Sequence, residues 1–281
     1  MLKTWLALAV GFAAIGAQAA PPASPPAAPG AAMSLWRLDC GSATIADYNA
    51  FFSDTSAYPA GPKEIVDSCY LIRHGDTLLL WDTGLPDALI GHPSSNRAMT
   101  MRVTRSLVDQ LAAIGVKPEQ VAFVAISHYH GDHTGQAAHF TTAKLLIGKG
   151  DLDVLRAAGK PDQAPLAAWI GGGSTAIAPA GDLDIFQDGE VVMLSTPGHT
   201  PGHHSLLVRL ASGPVILAGD LWHFKEQMAI DGVPPFNSDR AQTLASMDRI
   251  KRLAANLHAR IVIGHEPADV AALPAFPKAA R

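Results

Sequence analysis

Residues 127–135 read Ser127-His128-Tyr129-His130-Gly131-Asp132-His133-Thr134-Gly135. Three histidines and one aspartate fall within six residues, and all four are side chains that ligate metal. The stretch directly follows Val121–Ile126, a continuous apolar run with β-branched residues that predicts a buried strand. On a loop leaving a strand, imidazoles at positions i and i+2 can converge on one cation. The aspartate and histidine that follow then face a second cation beside it. Imidazole and carboxylate donors suit zinc, while iron, cobalt and manganese accept similar ligands. A lone histidine is usually a satisfied core or surface residue, but four ligand-type side chains at one strand end need another reason.

Three more ligand-type residues lie downstream. His199 stands in Thr196-Pro197-Gly198-His199-Thr200-Pro201-Gly202-His203, after the apolar run Val191–Ser195. Asp220 follows Ala218-Gly219, after Val215–Leu217, and His265 follows Gly264, after Ile261–Ile263. Each comes one or two positions past a glycine, where the backbone can turn sharply. Strand ends along one edge of a sandwich can bring all of them to one site.

Further out, the pattern alternates strands and helices. Lys63–Arg73 and Thr77–Trp81 around a Gly-Asp turn predict a β-hairpin. Val103–Ile114 carries apolar residues at helical spacing, and Asp151–Ala158 predicts a short helix with acids in its first turn. Lys144–Ile147, Leu35–Cys40 and Val66–Ile72 look like strands, as do Val191–Ser195, His204–Leu210, Val215–Ala218 and Ile261–Ile263. Ala241–Leu257 presents Leu244, Met247, Ile250, Leu253 and Leu257 on one helical face. Strands followed by a helix thus occur twice, around 35–158 and 183–265, without an exact repeat. The fold class is α/β or α+β. Two such units packed sheet to sheet give a four-layer αββα sandwich of two mixed β-sheets with helices on the outer faces.

The chain has 281 residues, 48% of them hydrophobic and 16% charged, enough for a full core and unlike a disordered or fibrous chain. Its formal charge of −4 gives no basic field, so nucleic acid is not an expected partner. Residues 1–19 have one lysine, a short apolar run and Ala17-Gln18-Ala19, the form of a secretory signal peptide. The apolar run is too short to span a bilayer. Residues 20–33 form a Pro/Ala-rich tether, and 34–281 a single domain. The mature protein is expected to be secreted or periplasmic, without stable membrane association. There Cys40 and Cys69 meet oxidising conditions and form either a disulfide or two buried thiols.

The His-x-His-x-Asp-His stretch, with His199, Asp220 and His265 after it, resembles the metallo-β-lactamase superfamily. Ser68-Cys69-Tyr70-Leu71-Ile72-Arg73-His74-Gly75, Trp81-Asp82-Thr83-Gly84 and Gly198-His199-Thr200-Pro201-Gly202-His203 are similar to the N-acyl homoserine lactonase group within it. The resemblance implies two divalent metal ions, zinc foremost. His128, His130 and His199 would hold the first. Asp132, His133 and His265 would hold the second, and Asp220 would bridge both. A hydroxide between the metals would open the lactone ring of an N-acyl homoserine lactone, a quorum-quenching reaction, with Asp132 passing a proton to the leaving oxygen. Asp82 would orient a ligand histidine, and His203 would sit behind the ligands. A homodimer is also implied.

One position departs from the group. The lactonases carry a tyrosine three residues after the bridging aspartate, and His223 stands there. Histidine can donate a hydrogen bond to a developing oxyanion, so His223 joins Asp132 and Asp220 as a candidate catalytic residue. Trp222, Phe224, Met228 and Phe236 near Asp220 are candidates for an acyl-chain groove, with Phe51 and Phe52 contributing. The same metal chemistry would serve a β-lactamase acting on β-lactam antibiotics, or another ester, thioester or phosphoester hydrolase. The aspartate at 220 favours the lactonase, thioesterase and phosphodiesterase branches over the antibiotic-hydrolysing members.

Overall fold

The computed structural model describes residues 32–157 and 161–281. The expected leader 1–19, most of the tether 20–33, and Ala158, the expected end of a helix, lie outside the described residues. Two sheets form the centre. The first contains β1 (Met33–Ile45), β2 (Lys63–His74), β3 (Thr77–Trp81), β4 (Ser94–Ser95), β5 (Met99–Arg102), β6 (Val121–Ile126), β7 (Lys144–Ile147) and β8 (Ala176–Ile177). Their spatial order is β4-β5-β1-β2-β3-β6-β7-β8. The second sheet contains β9 (Leu183–Asp184), β10 (Val191–Ser195), β11 (His204–Leu210), β12 (Gly213–Leu217) and β13 (Arg260–Val262), in the order β13-β12-β11-β10-β9. Each sheet is mixed. Hairpins run antiparallel, and strands reached through a crossover run parallel, as in β3–β6–β7 and β12–β13.

The period-two alternation of the strands builds the layers. Tyr70, Ile72, Trp81 and Leu146 face inward and meet Met193, Leu206, Val208 and Leu217 of the other sheet. Leu71, Leu80, Val124 and Leu145 point the other way, against Leu107, Leu111, Leu155 and Trp169. Leu207 and Ile216 likewise cover Met247, Ile250 and Ala254. The helices are α1 (Tyr48–Phe52), α2 (Leu107–Ala113), α3 (Gly131–Thr134), α4 (Lys149–Arg156), α5 (Ala167–Ile170), α6 (Lys225–Ile230), α7 (Arg240–Leu257) and α8 (Pro267–Ala271). The outcome is the expected four-layer sandwich. No helix among the described residues is long and apolar enough to cross a membrane.

Three differences from the sequence reading have local causes. The helix expected from Val103 starts at Leu107, because Ser106 caps it by accepting from the Asp109 amide at 3.0 Å. Val103 instead bridges to Ile90. The first strand is longer than Leu35–Cys40 and changes register between Asp39 and Gly41, a bulge at Cys40. The short strands β4 and β5, and the short helices α1 and α6, carry too few periodic residues to be read from sequence. At the bulge Cys40 is disulfide-bonded to Cys69, with Cα atoms 5.8 Å apart.

Candidate metal centre

The loop after β6 and the loop between β10 and β11 meet at one edge of the sandwich. Asp151, in the first turn of α4, joins them. Its buried carboxylate accepts from the Tyr129 amide at 3.1 Å, the Thr200 hydroxyl at 2.8 Å and the Gly202 amide at 2.6 Å. Gly198 has φ +133, and a Cβ there would lie 2.2 Å from the Thr243 amide of α7. Only glycine lets the loop carrying His199 come that close. Asp82 follows β3 with φ 58. Its carboxylate accepts from the Ser127 amide at 2.7 Å and from His133 Nδ1 at 3.0 Å.

These loops gather the expected ligands into two groups. His128, His130, His199 and Asp220 form one; Asp132, His133, Asp220 and His265 form the other. In the first, His128 Nε2, His130 Nδ1 and His199 Nε2 stand 3.0–3.2 Å from one another. Asp220 Oδ2 lies 3.5 Å from His199 Nε2 and 3.7 Å from His128 Nε2. In the second, Asp220 Oδ1 lies 3.1 Å from His133 Nε2 and 3.0 Å from His265 Nε2. Asp132 Oδ2 is farther from both, at 4.0 and 3.9 Å. One carboxylate therefore turns one oxygen to each group.

The donor set fits divalent cations. His133 Nδ1 donates to Asp82, His265 Nδ1 donates to the Val66 carbonyl at 2.7 Å, and His199 Nδ1 donates to Asn237 Oδ1 at 2.9 Å. With Nδ1 protonated, Nε2 of each neutral ring carries a lone pair, and all three point at Asp220. Protein acceptors commonly fix metal-binding imidazoles in this way. His133 Nε2, His265 Nε2 and Asp220 Oδ1 are buried and make no hydrogen bond among the described residues. Buried polar atoms left unpaired are costly, and a shared cation satisfies all three together. Burial by itself raises a carboxyl, but Asp220 is held well below the usual carboxylate range by positive charge on the histidines around it, His265 foremost, a charge that a bound cation would supply in place of the ring protons.

His203 is buried behind this centre. Its Nε2 accepts from the Asp220 amide at 3.0 Å, and its Nδ1 donates to the Thr196 carbonyl at 3.0 Å. His223 is 3% exposed and lies on the cavity side, its Nε2 3.1 Å from Asp220 Oδ2. The cavity has a volume of about 620 Å³ and reaches Asp132, Asp220, His223 and His265. Its apolar wall includes Phe51, Phe52, Ile65, Leu89, Met101 and Phe236.

The expected groove residues divide. Phe236 lines the cavity, but Trp222, Phe224 and Met228 do not. Trp222 is fully buried against α7, Phe224 is fully buried against Phe52 and Tyr58, and Met228 packs beside Trp222. Past the 3-10 turn Gly219–Leu221 the backbone is extended at Trp222 and Phe224, so His223 between them faces the site while its two neighbours face the core. Sequence reasoning missed Asp151, Asn237 and Gln227, which support the site, and the walls from β1, β2 and β5. Asp151 did stand out, as an acid in a helix's first turn.

A family model described as the metallo-beta-lactamase superfamily matches residues 65–265. The N-acyl homoserine lactonase AttM of Azorhizobium caulinodans is 32% identical over 195 residues, covering 64% of this chain and 70% of that protein. An N-acyl homoserine lactonase of Bacillus sp. is 27% identical over 229 residues, covering 77% and 89%. Among solved structures, a mutant of the B. thuringiensis protein AiiA with N-decanoyl-L-homoserine bound at its active site superposes with a TM-score of 0.74. It is 22% identical, over 88% of this chain and 98% of that one. By the span of the family match and the two ligand groups that share Asp220, this chain belongs to the metallo-beta-lactamase superfamily.

Proposed function

We propose that this protein hydrolyses the lactone ring of N-acyl homoserine lactones and so quenches acyl-lactone signals. The observation that carries the reading is the joined pair of ligand groups at the floor of a largely apolar cavity. The named lactonase relatives support it. Divalent cations at the two groups, zinc by the nitrogen and oxygen donor set, supply carbonyl polarisation and a hydroxide at neutral pH when bound.

The chain's own residues do the rest. Asp220 sets the spacing of the two groups with its two oxygens. Asp82, Asn237 and the Val66 carbonyl hold imidazole rings so that lone pairs face inward. Asp132 lines the cavity with its side chain 37% exposed. It is the ligand best placed to pass a proton to the departing ring oxygen. The apolar wall takes the acyl chain.

A substrate panel tests this reading. Purified, zinc-loaded protein is assayed on short- and long-chain N-acyl homoserine lactones, a cephalosporin, a thioester and a phosphotriester. Lactone turnover well above the others is expected, rising with chain length; equal or higher cephalosporin turnover would reverse the assignment. We also propose export to the periplasm through residues 1–19, a tether over 20–33, one hydrolase domain over 34–281, and a homodimer. Mass spectrometry of the mature N-terminus and light scattering test these.

A further inference from the structure

We propose that Asp67 accepts a hydrogen bond from the amide N–H of an N-acyl homoserine lactone, and that this contact makes the site select N-acylated lactones over lactones without that N–H. The assignment rests on the lactonase reading and adds to it the residue that recognises the link between ring and acyl chain.

One wall of the cavity is a face of the first sheet. Side chains two apart on a strand share a face, so Ile65 and Asp67 of β2 point the same way. Ile65 stands opposite Ala43 of β1, and Ala43 stands opposite Met101 of β5. All four line the cavity, and the pair Ile45 and Met99 extends the same face. Asp67 is therefore a carboxyl set among apolar side chains, only 5% exposed. A buried carboxyl is costly unless its oxygens are hydrogen-bonded. Oδ2 accepts from the Leu85 amide at 3.0 Å. Oδ1 makes no hydrogen bond among the described residues. Nor does the Leu85 amide depend on Asp67, because it also reaches the Cys40 carbonyl at 3.2 Å.

The strand fixes Asp67 beside the centre. Val66, one residue earlier, accepts from His265 Nδ1 at 2.7 Å and donates its amide to the His265 carbonyl at 3.2 Å. Asp67 thus stands where the apolar wall meets the floor of Asp132, Asp220 and His265. An N-acyl homoserine lactone has its parts in the same order. The ring carbonyl must reach the centre, the acyl chain takes the wall, and the amide joining them comes to the junction. That amide carries the molecule's single N–H, and a carboxylate oxygen is a strong acceptor for it. Burial holds the Asp67 carboxyl well above the usual carboxylate range, with His133 and His265 opposing. A cation at the second ligand group opposes it further and favours the accepting form.

A change of one atom in the substrate tests the contact. Zinc-loaded wild type is assayed on N-decanoyl homoserine lactone and on its ester isostere, in which oxygen replaces the amide N–H. Ring opening is followed by chromatography, and each kcat/KM is divided by the rate of alkaline ring opening. The isostere keeps the ring, the carbonyls and the chain and lacks only the donor. Wild type should favour the amide by about tenfold or more, the scale of a hydrogen bond to a charged group. In Asp67→Asn the side-chain oxygen stays with the Leu85 amide and an NH2 group faces the cavity, so the ratio should fall to about one. Asp67→Ala, with no polar group there, should give the same ratio. Equal turnover of both compounds by wild type, or the wild-type ratio kept in Asp67→Asn or Asp67→Ala, overturns the assignment and leaves the lactonase reading standing. No ring opening of either compound by wild type overturns both.

Discussion

Asp220 is the residue on which the centre turns, because among the described residues no other side chain belongs to both ligand groups. Asparagine in its place keeps the shape but replaces one acceptor oxygen with an amide NH2. That group repels a cation on one side of the centre. Asp220→Asn should lower kcat/KM for the lactone by about 100-fold or more and weaken metal retention. Paired kinetics and metal analysis after dialysis check this, and a variant with full activity and two metals per chain would refute the shared-carboxylate picture. His203, behind Asp220, has a different signature. Burial drives its pKa down to about 3, with the Asp220 charge only partly opposing. Its Nε2 must stay unprotonated to accept from the Asp220 amide. An unfolded histidine gains its proton near pH 6.5. Its contribution to stability is therefore complete above pH 6.5 and is lost as pH falls from there toward about 3. In chelator, the urea midpoint of wild type should fall more between pH 7 and pH 5 than that of His203→Gln. Parallel pH dependence in the two would show that His203 is not held neutral.

At the scale of elements, Asp151 ties the loop after β6 to the loop after β10. Alanine there leaves two backbone amides and a hydroxyl facing the space of a buried carboxylate. Each buried donor left unpaired costs about 1–3 kcal/mol, and water entry recovers part of it. Asp151→Ala should lose about 2–4 kcal/mol of unfolding free energy and should weaken the first ligand group, since Tyr129 lies between His128 and His130. Denaturant titration with and without zinc measures both; unchanged zinc affinity would mean that the loops hold their own shape. What could be read from sequence follows from how local each feature is. The His128–His133 cluster directly follows its strand, and Asp220 and His265 each stand one residue past a glycine, so each of these signals is contained in a short stretch of chain. Their spacing marks candidate ligands, the resemblance divides them between two ions, and the fold gathers them into two groups that share Asp220. The cavity wall comes from β1, β2, β5 and α1, far apart in the chain, and β5 covers only Met99–Arg102. Trp222 and Phe224 read as wall residues in the sequence because they are apolar and near Asp220. Alternate residues of an extended segment face opposite ways, and theirs is the core side.

Across the whole molecule, the ligand loops rest on the edge where the two sheets meet, so the centre depends on how firmly the first sheet is held. The Cys40–Cys69 bond fastens β1 to β2 across a sequence separation of 29. It also bears on the site. Cys40 packs against Gly84, where an added Cβ would lie 2.4 Å from the Cys40 Cβ. Gly84 ends the Asp82-Thr83-Gly84 turn, whose Asp82 carboxylate and Thr83 amide and hydroxyl all bond to His133. Closing a loop of this length removes chain entropy worth about 3.6 kcal/mol from the unfolded state. Replacing both cysteines with alanine should therefore lower the unfolding free energy by about 3.6 kcal/mol. It should also loosen the grip on His133, so that zinc at the second group is lost at lower chelator concentration than in wild type. Denaturant midpoints and chelator titrations of the two proteins, prepared under oxidising conditions, test both effects. A double variant with the wild-type midpoint would mean that β1–β2 pairing and the packing of Leu38, Leu71 and Leu80 already hold the sheet. Loss of stability with unchanged zinc retention would separate the bond from the centre. The bond persists only where thiols oxidise, so the stability of this fold and the proposed export of the chain make the same demand on its surroundings.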